Sequence, residues 1–403
     1  MIPTLLFVAF LVMMLMGVPI GAALGLAGAA CIALANSDAQ WFGLLAVPQN
    51  FYAGLGKYPL LAIPMFVLVG SIFDRSGVAL RLVNFAVAIV GRGPGMLPLV
   101  AIVVAMFLGG ISGSGPANAA AVGAVMIAAM SRAGYPAAFS ASVVGAAAAT
   151  DILIPPSVAF IVYSVLVPGA SVPALFAAGM VPGVLAGLAL IIPTVLLARK
   201  HKMGALEASL PRPPFWQSFK AVFYGLFVGM VIHRTIQVRD LFVILRESGE
   251  LSAIILLVVS LAGIFAFSLS TLGVIDPVTK AIVNSGLGEY GVLALLILML
   301  ITVGMFLDGV SIFLIFVPLL WPIVQFYKWD PVWFGVILTL KVALGQFTPP
   351  LAVNLMVSCR IAGVRMEETV RWVGWMLFSM FLVMVAVIIW PELALWLPRY
   401  LGY

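Results

Sequence analysis

Apolar segments about as long as a bilayer is thick follow one another along nearly the whole chain, and several of them are cut by glycine and proline. Spanning a membrane takes about 20 mostly apolar residues, and no hydrophilic stretch here is long enough to form a separate soluble domain. Only 8% of the 403 residues are charged, against about 25% in a soluble domain. These features predict an all-α fold: one polytopic membrane protein over residues 1–403. The opening MIPTLLFVAFLVMMLMGVPIG has no basic leader and runs on into further apolar sequence, so a retained first helix is expected there rather than a cleaved signal.

The net charge of +6 does not signal nucleic acid, because its carriers cluster in short connectors. Arg199, Lys200, Lys202, Arg212 and Lys220 form one group and Arg234, Arg239 and Arg246 another, the bias of loops that face anionic lipid on the cytoplasmic side. The 12 residues between Lys220 and His233 make a helix of only about 18 Å. An interfacial or re-entrant segment, or a span that borrows PFWQSF upstream, is expected there. Cys31 and Cys359 lie in separate apolar segments and are read as packing residues. His201 and His233 stand in basic connectors, with no HExxH pair and no phosphate-binding glycine loop. An enzyme is therefore not expected.

The interruptions carry the functional signal. The stretch GGISGSGPANAAAVG, residues 109–123, collects glycine, serine, proline and asparagine where a lipid-facing helix favours leucine. Gly110 and Gly304, Gly115 and Gly309, Pro155 and Pro349, Pro156 and Pro350, and Gly169 and Gly363 are each 194 positions apart, which argues for an internal repeat. The expected division is a first repeat over about 58–198, a basic connector over 199–220, and a second repeat over about 221–396, shortened at its start. Matched Gly/Pro-broken segments point to the binding site of a secondary transporter. Irregular backbone at membrane depth must line a polar cavity or be buried in protein, and it frees carbonyl oxygens that can replace the water shell of an ion. Half-helix N-termini beside such breaks suit an anion.

GGISGSGPANAAAVG, ILIPPSVAFIVYS, GMFLDGVSIFLIFVP and LGQFTPPLAVNLMV occur here in this order. Together they resemble the large membrane subunit of tripartite ATP-independent periplasmic (TRAP) transporters, the DctM-like family. The resemblance covers most of the chain. It implies an elevator-type fold with inverted repeats and two re-entrant helical hairpins, sodium as the coupling ion without other cofactors, and an organic acid anion as substrate. It further implies a small four-helix (DctQ-like) membrane subunit, a periplasmic (DctP-like) substrate-binding protein, and a multi-pass location in the bacterial inner membrane. A stand-alone carboxylate exchanger of related architecture is the alternative. The chain departs from the family pattern in two places: LPRPPFWQSFK runs directly into AVFYGLFVG, and Asp151 replaces a residue that is more often small.

Within this frame Ser112, Gly113, Ser114, Asp308 and Gly309 are the candidate sodium ligands. Asn118, Pro155, Pro156, Thr348, Pro349 and Asn354 are the candidate substrate contacts, the Pro-Pro steps by freeing carbonyls. Arg360 is expected to snorkel to the interface rather than meet the substrate. Asp151 and Lys341 fall in adjacent turns of the matched elements and are expected to pair with each other. The glycines of GAALGLAGAA, residues 21–30, are read as close helix contacts.

Overall fold

The computed structural model describes residues 2–35, 42–75, 78–90, 93–209, 213–228, 238–305, 307, 309–350 and 352–403. Among these, every regular element is a helix. The first half comprises α1 (Ile2–Leu15), α2 (Ile20–Ala35), α3 (Phe42–Leu55), α4 (Ala62–Arg75), α5 (Val78–Val90), α6 (Met96–Ser112), α7 (Gly115–Arg132), α8 (Ala137–Ala148), α9 (Val158–Leu166) and α10 (Val172–Lys200). The second comprises α11 (Phe215–Val228), α12 (Val238–Thr271), α13 (Ile275–Val283), α14 (Gly288–Gly304), α15 (Gly309–Tyr327), α16 (Pro331–Gly345), α17 (Val353–Ala362), α18 (Val370–Ile389) and α19 (Glu392–Tyr400).

Helix starts recur at the glycine spacing. α7 and α15, and α8 and α16, begin 194 residues apart, and the starts of α2 and α11, α3 and α12, α5 and α13, α6 and α14, and α9 and α17 agree with that spacing to within three residues. α3 and α4 together match the single long helix α12; a 57° bend separates them. α11 begins at Phe215 and so takes in the upstream aromatic residues, running for 14 residues to Val228. Packing is reciprocal as well. α7 lies on α17 while α15 lies on α9, and α8 lies on α18 while α16 lies on α10.

Among the described residues four helices are long and apolar enough to cross a bilayer, within Val172–Lys200, Leu241–Thr271, Gly309–Tyr327 and Met366–Ile389, and the bent α3/α4 pair is long and apolar enough when its two helices are taken together. On α10 the exposed side chains Met180, Val184, Leu188, Ile192 and Leu196 recur every four residues, with Gly183, Ala186, Gly187 and Leu190 buried behind them. That spacing draws one ridge along the helix, a lipid-facing stripe backed by small residues that let neighbouring helices come close. Small residues also bring α2 onto α12. A Cβ on Gly25 would lie 2.5 Å from Leu261 Cδ2, and one on Gly28 would lie 3.1 Å from the Phe265 backbone. The GAALGLAGAA stretch is thus a contact face.

An equivalent aromatic residue pins each half. The Gly95 N–H donates to the Tyr135 hydroxyl oxygen at 2.7 Å, and Trp329 Nε1–H donates to Glu289 at 2.7 Å; both the aromatic pair and the pair they contact are 194 apart. In the first half Tyr135 O–H also donates to Glu207 Oε2 at 2.5 Å, and Glu207 Oε1 accepts the Leu97 N–H at 2.9 Å. The connector after α10 is thereby clasped to the start of α6. Burial pushes the Glu207 carboxyl above its ordinary pKa, against the pull of those two hydrogen bonds, and burial together with Glu207 pushes the Tyr135 phenol up too.

Candidate functional site

The interruptions of both halves open onto one cavity of about 350 Å³, at the small end of ordinary ligand pockets. Six residue pairs that stand 194 apart line it together: Gly113 and Leu307, Gly115 and Gly309, Pro116 and Val310, Ile152 and Gln346, Val158 and Ala352, and Ala159 and Val353. The wall is closed by α4, through Val67, Gly70 and Ser71, and by α12, through Leu251 and Ile255.

Four helices begin at this cavity, since Gly115, Val158, Gly309 and Val353 are the first residues of α7, α9, α15 and α17 and all four line it. Each N-terminus carries backbone N–H groups without intrahelical partners and about half a positive charge. α6 and α14 end at the same place, and their last turns present carbonyl oxygens. Among the described lining residues none is charged. The cavity therefore offers convergent donors to an anion and carbonyl or hydroxyl oxygens to a cation, with side-chain polarity from Ser114, Ser71 and Gln346.

Local sequence explains this geometry. Gly113 caps α6 in the left-handed conformation at φ +60°, and a Cβ there would lie 2.9 Å from the Pro156 carbonyl oxygen, so the α6/α7 break is seated on the α8/α9 break. Only glycine meets both demands without strain. Ser114 is the extended N-cap residue of α7, with Gly115 and Pro116 following, and its hydroxyl makes no capping bond. A Cβ on Gly115 would lie 2.6 Å from Asn354 Nδ2 and Oδ1 and 2.8 Å from Gln346 Oε1. The two halves thus meet at backbone contact distance. Pro155-Pro156 and Pro349-Pro350, both cis, lie in the stretches between α8 and α9 and between α16 and α17.

Of the candidate sodium ligands, Gly113, Ser114 and Gly309 line the cavity. Ser112 is the last residue of α6; its side chain, and Asp308 altogether, lie outside the described residues. The candidate substrate contacts surround the cavity without forming its wall. Asn118 is buried and its Nδ2 donates to the Ala105 carbonyl at 2.8 Å; Thr348 Oγ1 donates to the Leu344 carbonyl at 2.6 Å. Asn354 is buried, with Nδ2 donating to Gln346 Oε1 at 3.0 Å, and so holds the side chain that does reach the cavity. Arg360 is exposed, as expected of a residue at the interface. Gln346 escaped the sequence reading; its signal was a polar residue directly before the Phe-Thr-Pro-Pro break, at the position matching Ile152.

The expected Asp151–Lys341 pair does not form. Asp151 packs on Gly109 of α6, whereas Lys341 Nζ lies against Gly304 of α14. Each stays in its own half, and neither carboxylate oxygen nor the ammonium has a hydrogen-bond partner.

Residues 7–220 and 214–393 match the family described as tripartite ATP-independent periplasmic transporter, DctM component. The chain is 33% identical to the C4-dicarboxylate TRAP transporter large permease protein DctM of Pseudomonas aeruginosa, covering 94% of each chain. It is 32% identical to the isethionate TRAP transporter permease protein DctMQ of Oleidesulfovibrio alaskensis over 90% of this chain and 61% of that one. It is 29% identical to the sialic acid TRAP transporter large permease protein SiaM of Vibrio cholerae, covering 96% of each.

Proposed function

The chain belongs to the DctM component family of tripartite ATP-independent periplasmic transporters, and from that premise we propose that it carries a small organic anion with sodium across the bacterial inner membrane. The relatives' names span a C4-dicarboxylate, a sulfonate and a sialic acid. A cavity of about 350 Å³ favours the smaller of these. The observation that carries the reading is the convergence of four helix N-termini on a cavity whose described lining has no charged side chain. An anion is held there by N–H groups and by the co-transported cation rather than by arginine or lysine.

Gly113, Ser114 and Gly309, with Ser112 and Asp308 beside them, are proposed as the sodium-binding elements, one set at the end of α6 and one at the end of α14. Ser114, Gln346 and the N-termini of α9 and α17 face the substrate. The repeated helix starts and the reciprocal packing support two inverted halves with re-entrant hairpins at the glycine-rich breaks, α6/α7 and α14/α15, whose helices pack on each other, moving as an elevator against the α2/α12 scaffold. A small membrane subunit and a periplasmic binding protein complete the system in this reading.

Energetics set the stoichiometry. Each charge moving through ~100 mV is worth ~2.3 kcal/mol, and a tenfold sodium ratio adds ~1.4 kcal/mol. One sodium ion therefore yields ~3.7 kcal/mol, less than the ~4.6 kcal/mol needed to carry a dianion against the potential. Two ions yield ~7.4 kcal/mol and leave ~2.8 kcal/mol, about a hundredfold accumulation. Two matched interruptions provide two places to bind them.

The test is uptake by proteoliposomes that hold the chain with its small subunit and binding protein. A C4-dicarboxylate or a sulfonate should accumulate only while an inward sodium gradient is maintained. Accumulation that persists after the gradient is collapsed overturns the proposal.

A further inference from the structure

Asp151 is fully buried, and the function just proposed makes no use of it. It follows α8 and lies behind the cavity wall rather than in it, pressed so closely on α6 that a Cβ on Gly109 would be 2.5 Å from Asp151 Cβ. The same ideal Cβ would be 3.5 Å from Asn118 Nδ2. Asn118 donates that nitrogen to the Ala105 carbonyl, one helical turn before Gly109, which fixes its amide. Both oxygens of Asp151 and Oδ1 of Asn118 are buried with no hydrogen-bond partner. The Ile152 N–H faces the carboxylate without closing a hydrogen bond.

Asp151 and Asn118 thus both pack at Gly109 of α6, and none of their three partnerless acceptors can satisfy another. Buried polar groups in proteins are nearly always partnered, and a carboxylate out of water needs a counter-charge. Among the described residues no neighbouring side chain supplies one: Arg81 of α5, which also packs on α6, stands in the first turn of its helix and is partly exposed. α6 and α8 carry no titratable residue. The basic residues of α7 and α10, Arg132 and Arg199 with Lys200, sit in the last turns of those helices. Arg132 is 14 residues beyond Asn118, about 21 Å along the helix axis. Cys359 and Arg360 of α17 lie beyond Asn354, Glu367, Glu368 and Arg371 flank the start of α18, and Lys341 points to Gly304 in the other half. The first half therefore holds buried, unpartnered oxygens of two neighbouring side chains without a counter-charge among the described residues, at a position that in the second half is occupied by Gly345.

We propose that Asp151 and Asn118 form a site for a small monovalent cation, separate from the ions bound at the cavity. Its occupant is a proton or a sodium ion, and both complete the same set of acceptors. Occupied, the site is neutral and α8 packs on α6 without cost; empty, it leaves a bare carboxylate in the interior. The site thereby makes the first half responsive to a cation independently of the transported anion.

The experiment compares the thermal midpoint of the purified full chain with that of Asp151→Asn, in detergent and without substrate, so that it does not depend on transport. Sodium is exchanged for choline at constant ionic strength and pH in one arm; pH is varied at constant sodium in the other. A ligand that binds only the folded state raises its stability with concentration, and subtraction of the variant cancels the sites at the cavity. Asp151→Asn is expected to be the more stable protein when the cation is scarce, with the gap closing as it is supplied. Closure in the sodium arm identifies sodium, and closure in the pH arm identifies a proton. Asn118→Ala, which keeps the carboxylate, should raise the cation concentration needed to reach the same stability several-fold, and it serves as the readout should Asp151→Asn not fold. Midpoint differences from the wild type that are flat in both arms, for both variants, overturn the proposal.

Discussion

Gly115 and Asn354, one from each half of the chain, meet so closely that a Cβ on the glycine would lie 2.6 Å from both amide atoms of the asparagine. This contact ties the start of α7 to the start of α17 and fixes the width of the cavity between the two interruptions. Adding a methyl group there cannot be absorbed by a flexible chain end, since the Asn354 side chain is held by Gln346. Gly115→Ala is expected to lower sodium-driven uptake at least about tenfold, equal to roughly 1.4 kcal/mol in the rate-limiting step. The double variant with Asn354→Ala should recover part of that loss. Equal uptake by the single and double variants would show that the contact is not limiting.

Gly113 and Gly169 separate backbone strain from steric contact. Both have positive φ, +60° and +87°, but a Cβ at Gly113 would meet the Pro156 carbonyl at 2.9 Å while one at Gly169 meets nothing within 4 Å. Alanine at Gly169 should cost about 1 kcal/mol, the ordinary penalty for a left-handed position. Alanine at Gly113 should cost clearly more, seen as a larger drop in thermal midpoint. It should also weaken sodium dependence, because the α6/α7 break must shift off the Pro-Pro step.

The Glu207 clasp predicts a pH effect of defined sign. Burial raises the carboxyl in the folded protein above its unfolded value, so the folded state holds the proton more tightly. Its stability increment is then fully present below the unfolded carboxyl pKa and is lost as pH rises through the higher folded value. The stability of the wild type relative to Glu207→Gln should fall over that window and level off above it. Glu207→Ala removes the acceptor of both the Tyr135 hydroxyl and the Leu97 N–H and should cost about 1–3 kcal/mol below that window, and less above it.

Among the described side chains of the α6/α7 break, Ser114 presents its hydroxyl to the cavity without a capping bond. Ser114→Ala should leave folding unchanged and raise the sodium concentration for half-maximal uptake several-fold. In the wild type the sodium titration of dianion uptake should have a Hill coefficient above one, since the energetics require at least two ions. A coefficient fixed at one would remove the second ion.

Much of this architecture was readable from the chain because glycine and proline mark backbone breaks by steric rule. Gly110, Gly115, Pro155 and their partners 194 residues on give the position of every interruption around the cavity, and the glycines of residues 21–30 give the α2 contact with α12. Side-chain pairings were not readable. Asp151 and Lys341 are close in repeat numbering, yet each packs against the glycine of its own half, since equivalence under a repeat does not bring two positions together. Asn118, Thr348 and Asn354 lie around the breaks, but their polar atoms turn to nearby carbonyls or to Gln346, a choice set by rotamers and helix rotation. The start of α11 at Phe215 was legible only as one option, because aromatic residues beside a basic connector suit an interfacial loop as well as a helix.

One cavity shared by both halves is proposed as the transport site, and filling it tests that placement. Ala117 lines it on α7 and is partly exposed to it, so Ala117→Trp should occupy the space with little effect on the core. Sodium-driven uptake in proteoliposomes with the partner proteins should be abolished, while the thermal midpoint in detergent stays near that of the wild type. Uptake at the wild-type rate with the tryptophan in place would contradict the account.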